Sequence, residues 1–154
     1  MNIHVYLVLI HMDFMKKIND NLSFTPTKCS IVIVDNNLEL VNLFKEILEK
    51  NGYKVWGFTN PEIALEFIKN NHNKCNLVIS DYQLPQLNGY ELGKKIKEID
   101  KNIKMILVSN YEDSHENTSE FKFIQKPITI DNLIETIEES RLTIKNQKQV
   151  KKQD

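Results

Sequence analysis

From Cys29 onward, short apolar runs alternate with stretches in which apolar residues recur every three or four positions. Ile31-Val32-Ile33-Val34 is continuous and β-branched and stops at Asp35. Such a run, without polar alternation, reads as a strand buried on both faces. Leu38, Val41, Phe44, Ile47 and Leu48 follow at helical spacing until Asn51-Gly52 ends the helix. Tyr53 to Phe58 predicts a second strand, and Asn60-Pro61 a cap and first-turn proline before a helix with Ile63, Ala64, Phe67 and Ile68. Asn76 to Ser80 predicts a third strand, again stopping at an aspartate, Asp81. A loop with Pro85 leads to Asn88-Gly89 and a helix whose Leu92, Ile96 and Ile99 face inward. Met105 to Val108 ends at Ser109, and Phe121 to Ile124 precedes Lys126-Pro127. A last helix is expected from about Thr129 to Leu142. Residues 110–120 are polar and only weakly helical. Five strands alternating with helices predict an α/β fold, a parallel sheet covered on both faces.

The flanks read differently. Val5 to Ile10 is apolar but far short of the roughly 20 residues of a spanning helix. No basic residue precedes it and no small-residue cleavage site follows. Residues 1–28 are therefore expected to be a loosely ordered extension. Residues 141–154, with Arg141, Lys145, Lys148, Lys151 and Lys152, are expected to be a basic, frayed tail.

Charge adds one exclusion. The net charge of −1 conceals 12 lysines against 18 carboxylates in residues 29–140. A body that acidic is poorly suited to sheathing nucleic acid. Two cysteines, Cys29 and Cys75, are too few for a disulfide framework and suggest a reducing, cytoplasmic compartment. Each lies six residues before a strand-end aspartate, which places the two thiols at similar depth without predicting a bridge.

The candidate chemistry sits at strand ends: Asp35, Asp81, Ser109 and Lys126 follow the first, third, fourth and fifth strands. In open α/β sheets, ligands bind beyond the carboxyl ends of strands, near the point where strand order reverses. Any one of these residues could simply cap a loop or helix. Four at successive strand ends make a site.

These residues carry a resemblance to the receiver domains of two-component signalling. It rests on Val34-Asp35-Asn36, on Asp81-Tyr82-Gln83-Leu84-Pro85-Gln86-Leu87-Asn88-Gly89, on Val108-Ser109 and on Lys126-Pro127. It covers about residues 29–140. It implies a flavodoxin-like sheet of order 2-1-3-4-5 and phosphotransfer to Asp81 from a histidine kinase or histidine phosphotransfer protein. It further implies Mg²⁺ held by Asp35, Asp81 and the backbone carbonyl of Gln83, with the amide of Asn36 as a weaker ligand. Lys126 would pair with a phosphoryl oxygen. Ser109 and Phe123 would act as the switch. The physics suits those roles, because charge spreading over three phosphoryl oxygens needs cations and donors.

Two departures stand out. Asn36 occupies a position where the family usually has a second acid, which predicts weaker metal binding. Only 17 positions separate Ser109 from Lys126, several fewer than the family commonly shows, which implies a shortened fourth helix and puts the usual output surface in question. The expected function is a stand-alone switch with a protein output, without direct contact to nucleic acid or membrane. A phosphorylation-independent pseudo-receiver that binds protein remains the alternative. A phosphatase with an aspartyl-phosphate intermediate would want an acid two residues after Asp81, where Gln83 cannot transfer a proton. Ser114-His115-Glu116 is expected to be surface.

Overall fold

In the computed structural model, which describes residues 3–19, 29–110 and 120–150, the five apolar runs from Cys29 onward are strands of one parallel sheet. The strands are β1 (Ser30–Val34), β2 (Lys54–Phe58), β3 (Leu77–Asp81), β4 (Lys104–Ser109) and β5 (Lys122–Gln125). Their order is β2-β1-β3-β4-β5, so the chain reverses direction across the sheet between β1 and β3. The helices are α1 (Ile3–Asn19), α2 (Leu38–Lys50), α3 (Pro61–Asn71), α4 (Gly89–Ile99) and α5 (Ile130–Val150). The expected short helix between β4 and β5, with Tyr111 and Ser114-His115-Glu116, lies outside the described residues.

The period-two alternation of strands divides the core. Ile31, Ile33, Leu77, Ile79, Ile106 and Val108 face α2 and α5. Val32, Val34, Val78, Met105 and Leu107 face α3 and α4. Helix starts follow local chemistry: Asn37, Asn60 and Asn88 accept from the first turns of α2, α3 and α4, and Asn88 forms a reciprocal capping box with Glu91. Cys29 and Cys75 are buried and not joined by a disulfide, in line with the neighbouring strands β1 and β3. Burial pushes their thiols up to about 11 and about 12.

Two expectations at the flanks are corrected. Residues 3–19 are helical rather than loose, with Tyr6 and Ile10 only 3% and 1% exposed in the core shared with α2 and α5. Tyr6, Ile10 and Asp13 recur at helical spacing on one face, and Asp13 Oδ2 accepts the backbone N–H of Ile130 at 2.8 Å. Residues 20–28 lie outside the described residues. At the other flank α5 runs through Val150 instead of fraying near 141. Lys, Gln and Arg are good helix formers, and no glycine or proline interrupts them. Arg141 Nε also bridges to Glu138 Oε2 at 2.9 Å, one turn back. No helix among the described residues is long and apolar enough to cross a membrane.

Candidate functional site

Asp35 and Asp81 leave adjacent strands at the topological switch point, one residue beyond the paired Val34 and Ser80. Val108 pairs with Asp81, so Ser109 stands one step further on the next strand. Ser109 pairs with Gln125, and its carbonyl accepts the backbone N–H of Lys126 at 2.8 Å. Register alone thus brings the four strand-end residues to one edge.

Their side chains form a small, mostly buried charge cluster. Asp35 is 6% exposed and Asp81 8%. Lys126 Nζ lies 3.2 Å from Asp81 Oδ2. The other oxygen, Asp81 Oδ1, receives a long bond of 3.4 Å from the Gln83 backbone N–H. Asp35 Oδ1 accepts the Asn37 backbone N–H at 2.9 Å. Burial pushes the Asp35 carboxyl up to about 6, and the charge of Asp81 adds to this. The Asn37 N–H and the Lys126 ammonium oppose the rise without cancelling it.

The donor set fits a hard divalent cation, since two buried carboxylates share one ammonium and burial disfavours the charge on Asp35. Asp35, Asp81 and the turn at Gln83 are brought together. Asn36 is exposed, and among the described residues no three His, Cys, Asp or Glu cluster as metal ligands. Ser109 is buried at the edge, and Phe123, paired with Leu107, is partly buried against the α3/α4 side of the core.

Three contributors escaped the sequence. Gly89 is needed by close packing, because a Cβ there would lie 2.4 Å from the Asp81 carbonyl oxygen and 2.9 Å from Leu107 Cδ2. The Gly89 N–H donates to the Tyr82 carbonyl at 2.8 Å, closing the loop that carries Asp81 into α4. Tyr6 and Asp13 come from α1: the Tyr6 ring centre lies 6.0 Å from Lys126 Nζ, and Asp13 caps α5 just beyond Pro127. Only their i, i+4, i+7 spacing with Ile10 signalled a shared face.

Comparisons with known proteins converge on this architecture. The family model of the response regulator receiver domain matches residues 31–138. The polar-differentiation response regulator DivK of Brucella anthropi is 30% identical over 115 residues, covering 70% of this chain and 92% of DivK. The crystal structure of a response regulator receiver domain protein (CheY-like) from Methanospirillum hungatei superposes with a TM-score of 0.71 at 30% identity, covering 77% of this chain and 98% of that one. Other relatives are much longer. The putative two-component response regulator ARR13 of Arabidopsis thaliana is 31% identical over 107 residues, 66% of this chain but 19% of the relative. The matched span holds all five strands but the first residue of β1, and all four strand-end residues of the site; the chain belongs to the response regulator receiver domain family.

Proposed function

We propose that this receiver is a phosphorylation switch in which Asp81 accepts a phosphoryl group from a histidine kinase or a histidine phosphotransfer protein. The observation that carries the reading is the pairing of Asp81 with Lys126 at 3.2 Å beside the buried Asp35, at the strand switch point. A carboxylate oxygen of Asp81 attacks phosphorus in line. The P–N bond of the donor phosphohistidine breaks, and its electron pair stays on the imidazole nitrogen. Asp81 Oδ1 already accepts a long bond from the Gln83 N–H, which orients the carboxylate.

Receiver domains typically bind Mg²⁺ for phosphorylation. Here Asp35, Asp81 and the Gln83 carbonyl would hold the ion, which supplies charge neutralisation for the transferring group. Lys126 moves from the Asp81 carboxylate to a phosphoryl oxygen, remaining the balancing cation. Ser109, buried beside the acid, donates a hydrogen bond to the phosphorylated group, and Phe123 on the neighbouring strand transmits the change. Family members act as phosphoacceptor switches rather than as general catalysts, and the downstream output here would be a protein contact.

The exposure of Asn36 favours one second reading, a pseudo-receiver that binds protein without phosphate. Intact-mass spectrometry after incubation with acetyl phosphate and Mg²⁺ separates the two. A phosphoryl-sized mass gain in the wild type, absent from Asp81→Asn, is the expected result. No gain in the wild type, or equal gain in both proteins, overturns the proposal.

A further inference from the structure

Helix α1 lies outside the span matched by the receiver family, yet it reaches the phosphoacceptor site. Its inner face is fixed twice, by Ile10 in the α2/α5 side of the core and by Asp13 on the Ile130 N–H. Between these anchors and Lys126 stands Tyr6, whose ring centre is 6.0 Å from the lysine Nζ. That is at the outer reach of a cation–π contact, and an ammonium with 15% side-chain exposure feels the ring face more than a hydrated one would. The Tyr6 hydroxyl is buried and lacks a well-formed hydrogen bond among the described residues. Burial and the neighbouring charges of Asp35 and Asp81 keep that hydroxyl protonated. Its contact with the lysine is therefore through the ring and not through a hydroxyl hydrogen bond.

We infer that Tyr6 is a positioning residue of the phosphoacceptor site: α1 docks it against Lys126, and its ring confines the ammonium to the Asp81 side. The inference rests on the proposed role of Asp81 as phosphoacceptor. Lys126 is drawn by the Asp81 carboxylate at 3.2 Å, by the charge of Asp35 and by the ring at 6.0 Å. With the ring removed, its flexible stem has more orientations in which the ammonium leaves the acid for water. Phosphoryl transfer then begins from a less ordered site, and the loss falls on rate rather than on folding.

Tyr6→Phe keeps the ring and removes the hydroxyl; Tyr6→Leu keeps an apolar core residue and removes the ring. In the full chain with acetyl phosphate and saturating Mg²⁺, Tyr6→Phe is expected to label within about twofold of wild type. Tyr6→Leu should label several-fold to about tenfold more slowly, in line with a cation–π contact. A readout independent of phosphorylation is the carbon–proton NMR signal of the Lys126 Cε. Its ring-current displacement should persist in Tyr6→Phe and vanish in Tyr6→Leu. Should Tyr6→Leu fail to fold, Asp13→Ala, which loosens α1 without changing its apolar face, is expected to move rate and resonance in the same direction. Wild-type labelling with an unimpaired Tyr6→Leu (or, in its place, Asp13→Ala), or a Lys126 resonance indifferent to these changes, overturns the inference. Equal slowing by Tyr6→Phe and Tyr6→Leu also overturns it, because the hydroxyl would then be the working group. Failure of the wild type to label sinks the phosphoacceptor reading instead, and the resonance still decides whether Tyr6 touches Lys126.

Discussion

Lys126 Nζ and Asp81 Oδ2 meet at 3.2 Å across 45 residues of chain, with side chains 15% and 9% exposed. Removing one partner of such a pair leaves the other charge buried. For well-buried pairs that costs about 3–5 kcal/mol, and partial exposure here reduces the figure. Lys126→Met is therefore expected to lower metal-free stability near neutral pH by about 2 kcal/mol. Adding Asp81→Asn to the same chain should recover most of the loss. Urea denaturation of the two variants checks this, and no recovery in the double variant would contradict the pairing.

Asp35 supplies a pH dependence of defined sign. Its carboxyl rises from 3.8 to about 6 on folding, chiefly because burial disfavours its charge. The folded state thus holds a proton that the unfolded state has released between about pH 4 and pH 6. This group's stabilising contribution is full below the unfolded value and is lost as pH rises through the folded one. Asp35→Asn should accordingly stabilise the metal-free protein near neutral pH, by on the order of 2 kcal/mol. The gain should shrink to nothing near pH 4. Thermal melts of both proteins across that range, in chelator, give the comparison.

Asn36 is exposed, so an added charge there is solvated before any metal arrives. Asn36→Asp is expected to tighten Mg²⁺ by roughly 1–2 kcal/mol, about one order of magnitude. Its effect on metal-free stability should be small, because the new carboxylate stays in water. Calorimetric titration of Mg²⁺ into both proteins decides the point. Equal affinities would mean that residue 36 points away from the ion.

Gly89 admits no side chain. The obstructing atoms are the Asp81 carbonyl oxygen at 2.4 Å and Leu107 Cδ2 at 2.9 Å, and the first is backbone that cannot rotate aside. Gly89→Ala is expected to cost about 2 kcal/mol, as overpacking commonly does. It should also slow labelling of Asp81, since the strand end must shift to make room. A variant with wild-type urea midpoint and labelling rate would show that the loop accommodates the methyl elsewhere.

Most strands were legible because they carry a dense apolar run and end on a polar residue, whereas their order followed from the resemblance to receiver domains. The four site residues could be read because parallel register carries strand ends to a common edge. Asparagine caps at positions 37, 60 and 88 were equally local, though Asn37, directly after the resemblance's Asn36, drew no notice as a cap. Gly89 was visible as a helix start and as the end of the motif after Asp81, but its closeness to the Asp81 carbonyl is a fact of packing between β3 and α4. The part played by α1 was hidden for a related reason. Its inner face has little meaning until α5 supplies Ile130, Leu133 and Ile137 as partners. A contact spanning 117 residues leaves no mark on either segment alone. The Lys- and Gln-rich end of α5 misled in the opposite sense, because charge was read as solvation although helix propensity also favours those residues.

The bond from Ile130 to Asp13 also orders events in time. During synthesis α1 precedes every strand of the sheet, whereas the helix that receives it is the last described element to be made. Until α5 emerges, Tyr6 and Ile10 have no α5 to pack on, while Val5, Val8, Leu9 and Met12 expose a further apolar stripe even in the finished protein. Before then, the inner face of α1 can be covered only in part, by α2. Completion of α5 is the moment at which that face is covered and Asp13 gains the Ile130 N–H, while the outer apolar stripe stays exposed.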